Sequence, residues 1–482
     1  MALDLRGAIA DSIALGDAPA LYHGDHWRSW AWFGQAIGGL DAAIAGAGIV
    51  GLVARPRPWH VAAMASGIVA RRTTAMIYCA QSPAGIAADI ERLRLPAVVA
   101  DRQDWNELTL AAAAAVGTRA IVTDESVPGS VEVLGDAASP PVSELAPGPA
   151  YYLLSSGTTG APKRLALGWD TVASLVDDAR LAYVGSDVDA PQIMVSPLGN
   201  VSGLAYALPP IAFGRRLVLL DRFEPASWAA AVRDHRPVRG ALTPAAIRML
   251  VDSDVPADWL QSLTVIGVGG AKFDRALQLA CEQRFGMPVL PAFGATEFGG
   301  VIANWTLDMY REWGEAKAGS TGRASRGVSL RIVDPDSREP LPADEQGLLQ
   351  ARVDRIGPDW LTTNDVASID VDGFVFVYGR ADGAINRGGF KILPDIVANI
   401  IKQHPDVADA AVIGIADDRL GEVPVAVVEL RPGRDPSPDA LRAWLKERLV
   451  AYQVPSEIRM VDALPRNASL KVSLPDVKAM FA

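Results

Sequence analysis

Residues 151–163, YYLLSSGTTGAPK, join an apolar run to a segment of small, hydroxyl-bearing residues that ends in a lysine. Hydroxyl groups, unobstructed glycine N–H groups and a mobile ammonium together favour a bound anion such as a polyphosphate. The candidate phosphate ligands are Ser155, Ser156, Gly157, Thr158, Thr159, Gly160 and Lys163. The spacing G-x-x-G-x-P-K differs from the Walker motif, and a surface turn is the alternative if the motif stands alone.

Two other motifs lack the context that their chemistry needs. GAGIVG at 46–51 matches the G-x-G-x-x-G dinucleotide fingerprint, which requires a strand before it and a helix after it. A helical pattern precedes these glycines and a strand-like run follows them, so we reject a nicotinamide site and predict a helix-ending turn. HGDH at 23–26 could hold a metal, but no Cys or His group elsewhere completes a site by spacing, which favours a polar turn.

Strands and helices alternate through the first 300 residues, which predicts α/β layers with largely parallel sheets. The predicted strands include AVVA at 97–100, AIVT at 120–123, YYLL at 151–154, LVLL at 217–220 and LTVIGV at 263–268. From about residue 320, short strands separated by Gly, Pro and Asp indicate an antiparallel sheet or barrel. A small α/β unit follows GRADG at 379–383. We place a boundary at Asp382, which gives domains 1–381 and 382–482.

The composition of the 482 residues excludes several classes of protein. The net charge is −11 and no basic run occurs, so nucleic acid is not an expected partner. Cys79 and Cys281 are too few for a disulfide framework. The first residues lack the basic start and apolar centre of a signal peptide, and no stretch reaches the length of a membrane span. These features predict a cytoplasmic protein without a membrane span. They say nothing about its oligomeric state.

Seven motifs occur in the order and at the distances typical of one family. They are SSGTTGAPK at 155–163, GVGGAK at 267–272, FGATEFGG at 293–300, TTND at 362–365, GRADGAINRGGFKI at 379–392, DDRLGEVPVAVV at 417–428 and LPRNASLKV at 464–472. The chain thereby resembles the adenylate-forming superfamily of acyl-CoA synthetases, adenylation domains and luciferases, and acyl-CoA ligases most of all. The resemblance implies a large N-terminal domain of layered α/β subdomains with a small barrel-like part, followed by a small mobile C-terminal α+β domain.

The resemblance also implies a reaction and its participants. ATP activates a carboxylic acid as an acyl-AMP mixed anhydride, and the CoA thiol then takes the acyl group. Both the carboxylate and the phosphates are anionic, so such a site needs cations and Mg²⁺. Glu297 is expected to hold Mg²⁺, Thr296 to reach phosphate, and Lys471 to neutralise the approaching anions. The other expected nucleotide-binding residues are Gly269, Gly270, Ala271, Phe293, Gly294, Ala295, Asp365 and Arg380, with the last two at the ribose.

Asp382, between Gly379 and Gly383, matches the family's hinge, about which the small domain turns after adenylation. The loop around Gly388 and Gly389 would then line the channel of the thiol. The acyl pocket is expected to be lined by Asn200, Val201, Gly267, Phe293, Gly294 and Gly299. So many glycines predict space for a medium-sized, mainly apolar acid rather than acetate, and Asn200 predicts a more polar wall.

Four departures from the family pattern bear on the site. Asn364 replaces a glycine beside Asp365, a mild change because Asn tolerates positive φ. Asn386 replaces a common lysine, and Asn200 replaces an aromatic residue or histidine. Leu470 replaces the glycine just before Lys471, and we expect this change to alter the bend of the lysine loop most.

The residues leave three functions open. The first is an acid–CoA ligase. The second is a free-standing adenylation enzyme that loads a carrier protein, although this chain contains no carrier domain. The third is a non-catalytic nucleotide-binding relative, disfavoured because Lys163, Glu297, Asp365, Arg380 and Lys471 are all present.

Overall fold

A computed structural model describes residues 3–124, 131–134, 143–154, 164–180, 190–381, 383–388, 390–467 and 470–481. The predicted phosphate loop 155–163, the hinge residue Asp382 and Gly389 lie outside these residues. The chain divides into two compact units. Unit 1 contains Met1–Leu242, Asp252–Gly267 and Gly294–Val301, and unit 2 contains Thr243–Val251, Val268–Phe293 and Ile302–Ala482. The domain boundary at Asp382 stays a prediction.

The described helices are short to medium in length, and six of them begin with proline. Proline suits the first helical position because its missing N–H would be unpaired there anyway. The α-helices are α1 (Leu5–Ile13), α2 (Trp30–Ile44), α3 (Pro58–Val69), α4 (Pro83–Leu93), α5 (Glu107–Val116), α6 (Trp169–Arg180), α7 (Val201–Ala212), α8 (Pro225–His235), α9 (Pro244–Val251), α10 (Arg275–Phe285), α11 (Leu307–Trp313), α12 (Pro394–Ile401), α13 (Pro438–Lys446) and α14 (Leu474–Ala479).

The strands alternate with these helices as far as α10 and then follow one another closely. They are β1 (Pro19–His23), β2 (His26–Ser29), β3 (Ile49–Ala54), β4 (Thr73–Tyr78), β5 (Ala97–Asp101), β6 (Arg119–Thr123), β7 (Val131–Leu134), β8 (Tyr151–Leu154), β9 (Arg164–Leu167), β10 (Gln192–Met194), β11 (Leu217–Leu219), β12 (Arg239–Leu242), β13 (Val265–Val268), β14 (Val289–Ala295), β15 (Gly300–Asn304), β16 (Arg323–Ala324), β17 (Val328–Val333), β18 (Gly347–Val353), β19 (Leu361–Ile369), β20 (Val375–Arg380), β21 (Ile385–Arg387), β22 (Phe390–Ile392), β23 (Val407–Asp417), β24 (Gly421–Leu430) and β25 (Glu457–Val461).

Unit 1 is built on a seven-stranded sheet with the order β7-β6-β5-β3-β4-β8-β9. Its five inner strands are parallel, and β7 and β9 pair antiparallel at the two edges. Every residue of β3 is buried, and its alternate side chains enter two different hydrophobic clusters. Both faces of the sheet are therefore covered, which explains the continuous apolar runs in the sequence. The predicted strands and their parallel arrangement are confirmed.

A second sheet of unit 1 has the order β10-β11-β1-β2, and its β1–β2 hairpin contains the HGDH segment. The GAGIVG segment lies between the end of α2 and the interior of β3, so its order is helix, turn, strand. This order confirms the rejection of a dinucleotide fingerprint, which needs the opposite sequence of elements.

Unit 2 contains two further sheets. Strands β17-β18-β19-β20 form an antiparallel meander, as predicted from the short strands separated by Gly, Pro and Asp after residue 320. The C-terminal sheet has the order β22-β21-β24-β23, and β25 adds to β24 in parallel. Helices α12 and α13 contribute Val397, Ile401, Leu441 and Leu445 to its core. The predicted small α/β unit after residue 383 is confirmed.

Candidate active site

The Thr–Glu segment predicted to bind phosphate and metal lies at a tight turn between β14 and β15. Residues Thr296–Phe298 form one turn of 3-10 helix, and Gly299 closes it with a φ of 62°. A Cβ added at Gly294 would lie 2.3 Å from the carbonyl oxygen of Gly300, so the close approach of the backbone requires glycine there. Gly294 thus makes room for the chain itself, which is a different reason from the acyl pocket that we expected.

The carboxylate of Glu297 is accessible to a magnesium ion. Its side chain is exposed, and within the described ranges no hydrogen bond or ion pair engages its carboxylate. The described residues also hold no group of three or more His, Cys, Asp or Glu side chains able to bind a metal on their own. Mg²⁺ commonly binds through one or two carboxylates together with phosphate oxygens and water. A single free carboxylate is therefore the protein contribution that such an ion needs.

The glycine-rich turn after β13 is open where a nucleotide base would need space. A Cβ added at Gly269 would meet only the carbonyl oxygen of Ala292 at 3.6 Å, an ordinary contact distance. Gly270 has a φ of 86°, a left-handed conformation that side chains rarely adopt. Ala271 is exposed beside it. The turn is thus shaped by Gly270 and leaves its outer surface free.

Lys471 lies next to this glycine-rich turn. Its Cε lies 3.7 Å from the position of a Cβ added at Gly270, although 200 residues of sequence separate the two. The residue is half-buried, and burial lowers the pKa of its ammonium. In the described part of the chain no acidic side chain forms an ion pair with it. A desolvated cation without a counter-charge favours an anionic ligand.

The loop that carries Lys471 is a small hairpin. Arg466 and Val472 form a bridge at its base, and the N–H of Asn467 donates to the carbonyl of Lys471 at 2.8 Å. The N–H of Lys471 donates to Oδ1 of Asn467 at 3.1 Å. Leu470 has a φ of 61°, a left-handed conformation that glycine adopts more readily than leucine.

Three residues that anchor this hairpin were missed in the sequence. The guanidinium of Arg466 donates to the carbonyl oxygen of Leu470 at 3.3 Å and forms ion pairs with Asp409 and Glu429. Arg466 is part of the LPRN motif, so its presence was visible. Its partners lie on β23 and β24, and no local pattern connects them with the loop.

Asp365 and Arg380, the residues expected at the ribose, face each other in the meander. They are register partners on β19 and β20. The N–H of Asp365 donates to Oγ1 of Thr363 at 2.9 Å, and the N–H of Ala381 donates to the carbonyl of Asn364 at 2.6 Å. Asn364 lies within β19 and is not among the described residues with positive φ. The tolerance of asparagine for positive φ therefore does not explain the presence of Asn364 at this position.

Lys272, at the end of the glycine-rich turn, is a further residue that we missed. Its ammonium donates to the carbonyl oxygen of Tyr378 on β20 at 3.1 Å. Desolvation lowers the pKa of Lys272, and the nearby Asp395 opposes that effect. The turn is thereby tied to the strand that also carries Arg380.

The residues expected at the acyl pocket and the thiol channel have local structural roles as well. Oδ1 of Asn200 accepts the N–H of Gly203 at 2.8 Å and caps the start of α7, and Val201 is buried. The amide oxygen that we expected to make the pocket wall polar is thus engaged in capping. Gly388, with a φ of 58°, forms the turn between β21 and β22, where its N–H donates to the carbonyl of Leu420.

The HGDH segment is a turn, as expected. Gly24 and Asp25 both have positive φ at the tip of the β1–β2 hairpin. His23 pairs with Asp221 through Nε2 at 3.2 Å. His26 bonds the carbonyl of Gly24 through Nδ1 at 2.7 Å.

Two family models match this chain. The model of the AMP-binding enzymes matches residues 14–355, and that of the AMP-binding enzyme C-terminal domain matches residues 397–471. The first match alone covers more than half of the chain. The chain therefore belongs to the AMP-binding enzyme family, which is the adenylate-forming superfamily that the seven motifs predict.

Curated relatives extend this result. The 2-succinylbenzoate–CoA ligase of Geobacillus kaustophilus is 29% identical over 398 residues, which are 76% of this chain and 79% of that protein. The indoleacetate–CoA ligase of Aromatoleum aromaticum is 31% identical over 69% of this chain and 68% of its own. The 4-coumarate–CoA ligase-like 9 of Oryza sativa is 27% identical over 98% of this chain and 90% of its own.

Solved structures show the same fold. ATP-bound MatB from Rhodopseudomonas palustris gives a TM-score of 0.86 at 22% identity, covering 100% of this chain and 99% of that one. The o-succinylbenzoate CoA synthetase MenE from Bacillus subtilis, in complex with ATP and a magnesium ion, gives 0.80 at 22% identity over 98% and 99%. The predicted mixed α/β fold with a large N-terminal and a small C-terminal domain is confirmed.

The chain is an AMP-forming acid–CoA ligase. Enzymes of this class use ATP, Mg²⁺ and CoA, as the sequence predicts. Among the helices that the structure describes, none is both long enough and apolar enough to cross a membrane.

Proposed function

We propose that this ligase activates a medium-sized, mainly apolar carboxylic acid as acyl-AMP and then transfers the acyl group to CoA. The observation that carries the proposal is the half-buried ammonium of Lys471 beside the glycine-rich turn. Two of the named relatives are ligases of 2-succinylbenzoate and indoleacetate by their names, and the third is named as 4-coumarate–CoA ligase-like, which supports an acid of that size. The reducing compartment implied by the two cysteines makes a cytoplasmic location part of the proposal.

Each predicted residue has a role in adenylation. The loop 155–163 with Lys163 holds the phosphates, and Thr296 assists it. Glu297 would hold Mg²⁺, which supplies charge neutralisation at the phosphates. Asp365 accepts bonds from the ribose hydroxyls, with Arg380 beside it. The remaining nucleotide contacts are those predicted at Gly269, Gly270, Ala271, Phe293, Gly294 and Ala295.

Lys471 acts while two anions approach each other. The carboxylate oxygen attacks the α-phosphorus of ATP, an acyl–phosphate bond forms, and the bond to diphosphate breaks. A positive charge beside both groups lowers the repulsion between them. The low-dielectric surroundings that lower the pKa of Lys471 also strengthen its attraction to these anions. Once acyl-AMP exists, this repulsion is gone.

The second half-reaction needs a different arrangement. We propose that residues 382–482 turn about Asp382, withdraw Lys471 and bring the loop at Gly388 and Gly389 to the path of the thiol. The CoA sulfur then attacks the acyl carbon, and AMP leaves with the electrons of the acyl–phosphate bond. A carrier-protein thiol in place of CoA is the alternative acceptor, and a comparison of both acceptors with one acid separates the two.

Exchange of labelled diphosphate into ATP, measured over a panel of acids, tests the first half of the proposal. We expect exchange with aryl, alicyclic or medium-chain acids and little with acetate. A strong preference for acetate would contradict the proposed size of the pocket. A protein that shows no exchange with any acid would be a nucleotide-binding relative instead.

Lys471→Ala tests the role of the ammonium. Adenylation should fall by about 10² or more, the scale of losing one electrostatic stabiliser. The same variant should convert synthetic acyl-AMP and CoA to thioester at a rate near that of the wild type. Lys446→Ala, which removes an exposed lysine of α13, is the matched control and should change neither rate. Equal adenylation by the Lys471 variant and the wild type would show that another cation serves.

A further inference from the structure

Arg466 connects the lysine hairpin with the C-terminal sheet. One nitrogen of its guanidinium donates to the carbonyl of Leu470, the residue directly before Lys471. Another nitrogen pairs with Asp409 on β23 at 2.5 Å and with Glu429 on β24 at 3.5 Å. The planar fork of arginine allows one side chain to hold a backbone oxygen and two carboxylates at once.

The carboxylates that hold Arg466 are themselves fixed. Oε2 of Glu429 accepts the N–H of Leu464 at 2.8 Å, which ties the start of the hairpin to β24. Asp409 also pairs with Lys402, the residue that follows α12, at 3.6 Å. The side chains of Asp409 and Glu429 are each only 20% exposed. Burial by itself would raise the pKa of Asp409, but Lys402 and Arg466 lower it overall, so its negative charge persists.

The bond to Leu470 acts where the backbone is strained. A leucine at a φ of 61° is less favourable than one in a right-handed conformation, because its Cβ crowds the backbone carbonyl oxygen. The loop keeps this conformation only where surrounding bonds hold it. The bonds around Leu470 include the one from Arg466, the bond from the N–H of Leu470 to the carbonyl of Asn467 at 2.8 Å, and those between Asn467 and Lys471.

We propose that Arg466 is a positioning residue, which makes the lysine hairpin a rigid part of the C-terminal sheet and so sets the direction of Lys471. Delivery and withdrawal of the ammonium then follow the movement of the sheet, rather than bending of the loop. This inference rests on the proposed role of Lys471 in adenylation and deepens it. Arg466 itself contacts no reacting atom.

The half-reactions separate positioning from a general structural role. Arg466→Met should lower the turnover number of diphosphate exchange about 10- to 100-fold, because Lys471 is then misdirected for most of the time. The KM for ATP should stay within about twofold, since the nucleotide-binding residues lie elsewhere, and thioester formation from synthetic acyl-AMP should be unchanged. Arg466→Lys keeps the charge but loses the fork and should recover only part of the rate.

Two further variants keep the test decisive if Arg466→Met is poorly folded. Asp409→Asn preserves shape and removes the charge that anchors Arg466, so it should slow exchange in the same half-reaction. Combined with Arg466→Lys, its effect should be less than the sum of the two single effects. Arg434→Met removes an exposed arginine that pairs with Asp406 and is the control expected to leave both half-reactions unchanged.

Hydrogen exchange of the hairpin amides gives a readout that does not depend on activity. In Arg466→Met or Asp409→Asn, the amides of residues 464–467 and 470–472 should exchange at least about tenfold faster, while those of β23 and β24 keep their protection. Unchanged exchange in the hairpin, or equal loss of both half-reactions, overturns the inference. If the wild type shows no diphosphate exchange, the proposed function fails, and the hydrogen exchange still decides whether Arg466 rigidifies the hairpin.

Discussion

Asp365, which we propose to bind the ribose, lies on a backbone that is fixed by its neighbours. Its backbone N–H is bound by Thr363, and its register partner across the meander is Arg380. Both contacts fix the backbone of Asp365. We expect a carboxylate on a fixed backbone to lose less entropy when it accepts two ribose hydroxyls.

Replacement of this carboxylate tests the ribose contact. Asp365→Ala should weaken ATP binding by on the order of 1–3 kcal/mol, the usual contribution of hydrogen bonds to a charged group. Calorimetric titration of ATP measures the dissociation constant. Asp308→Ala, which removes an exposed carboxylate at the start of α11, should leave it unchanged.

An ATP analogue shows whether the effect belongs to the ribose. 2′,3′-Dideoxy-ATP lacks both hydroxyls, so it should bind to the wild type and to Asp365→Ala with similar, weak affinity. If the variant loses as much affinity for the dideoxy analogue as for ATP, Asp365 acts on another part of the nucleotide, and the TTND segment does not bind the ribose.

The lysine hairpin shows a fixed backbone at the scale of an element. Leu470 holds a left-handed conformation that glycine would adopt at no cost, and the hairpin still forms. Hydrogen bonds around Leu470 accompany this conformation, in place of a residue type that favours it. The altered bend that we expected from Leu470 stays a prediction.

Substitutions at Leu470 should follow backbone preference rather than side-chain size. Leu470→Gly and Leu470→Asn both suit a positive φ and should keep diphosphate exchange within about twofold of the wild type. Leu470→Val places a β-branched residue there and should lower exchange by about tenfold, as an added cost of about 1–2 kcal/mol implies.

The control for this series is Leu474→Val at the exposed start of α14, which should have little effect. Thioester formation from synthetic acyl-AMP should be similar in all of these variants, since Lys471 is not needed there. A valine variant with full exchange activity would mean that the hairpin does not require the left-handed conformation.

Sequence patterns predicted helices, strands and caps well where the residues that determine an element are close together in the sequence. The apolar runs within β5 and β6 were predicted because burial on both faces of these strands favours apolar residues at consecutive positions. The cap of α7 was also predictable, since Asn200 precedes an apolar helical run, but we assigned that residue to the acyl pocket alone. The turn at GAGIVG was predicted because a helical pattern precedes these glycines and a strand-like run follows them.

Contacts between distant segments could not be predicted in the same way. The approach of Lys471 to Gly270 and the pairing of Arg466 with Asp409 join residues far apart in sequence. Nothing in the local composition of either partner specifies the other, because such pairs depend on how strands are ordered in a sheet. The family resemblance supplied the role of Lys471, and it supplied nothing for Arg466 or Lys272.

At the scale of the molecule, unit 1 has a buried polar network at the carboxyl end of its central strands. Arg57, just after β3, pairs with Asp101 at the end of β5 and with Asp221 after β11. Arg55 pairs with Asp104 in the same region. The network therefore joins the seven-stranded sheet to the four-stranded sheet, and a change of charge inside it should affect the stability of the whole unit.

His60 is a buried histidine within this network. It is fully buried on α3, its Nδ1 accepts the N–H of Arg55 at 2.8 Å, and its Nε2 lies 3.3 Å from Oγ1 of Thr123. Burial lowers the pKa of His60 from 6.5 to about 3; Asp101 opposes this, and Arg57 and Arg55 add to it. The imidazole is therefore neutral in the folded protein.

The pH dependence of stability should follow from this neutral imidazole. In the unfolded chain His60 takes up a proton below its ordinary pKa of 6.5, whereas the folded protein resists protonation until about pH 3. The unfolded state binds more protons in that window, so the free energy of unfolding should fall as the pH falls. The slope from this one group approaches about 1.4 kcal/mol per pH unit.

Denaturant titrations between pH 7 and 5, above the range where carboxylates protonate, measure this slope. His60→Gln should flatten the slope, while His26→Gln, at an exposed hairpin, should keep it. Equal slopes in the wild type and His60→Gln would mean that protonation of His60 does not control the acid stability of unit 1.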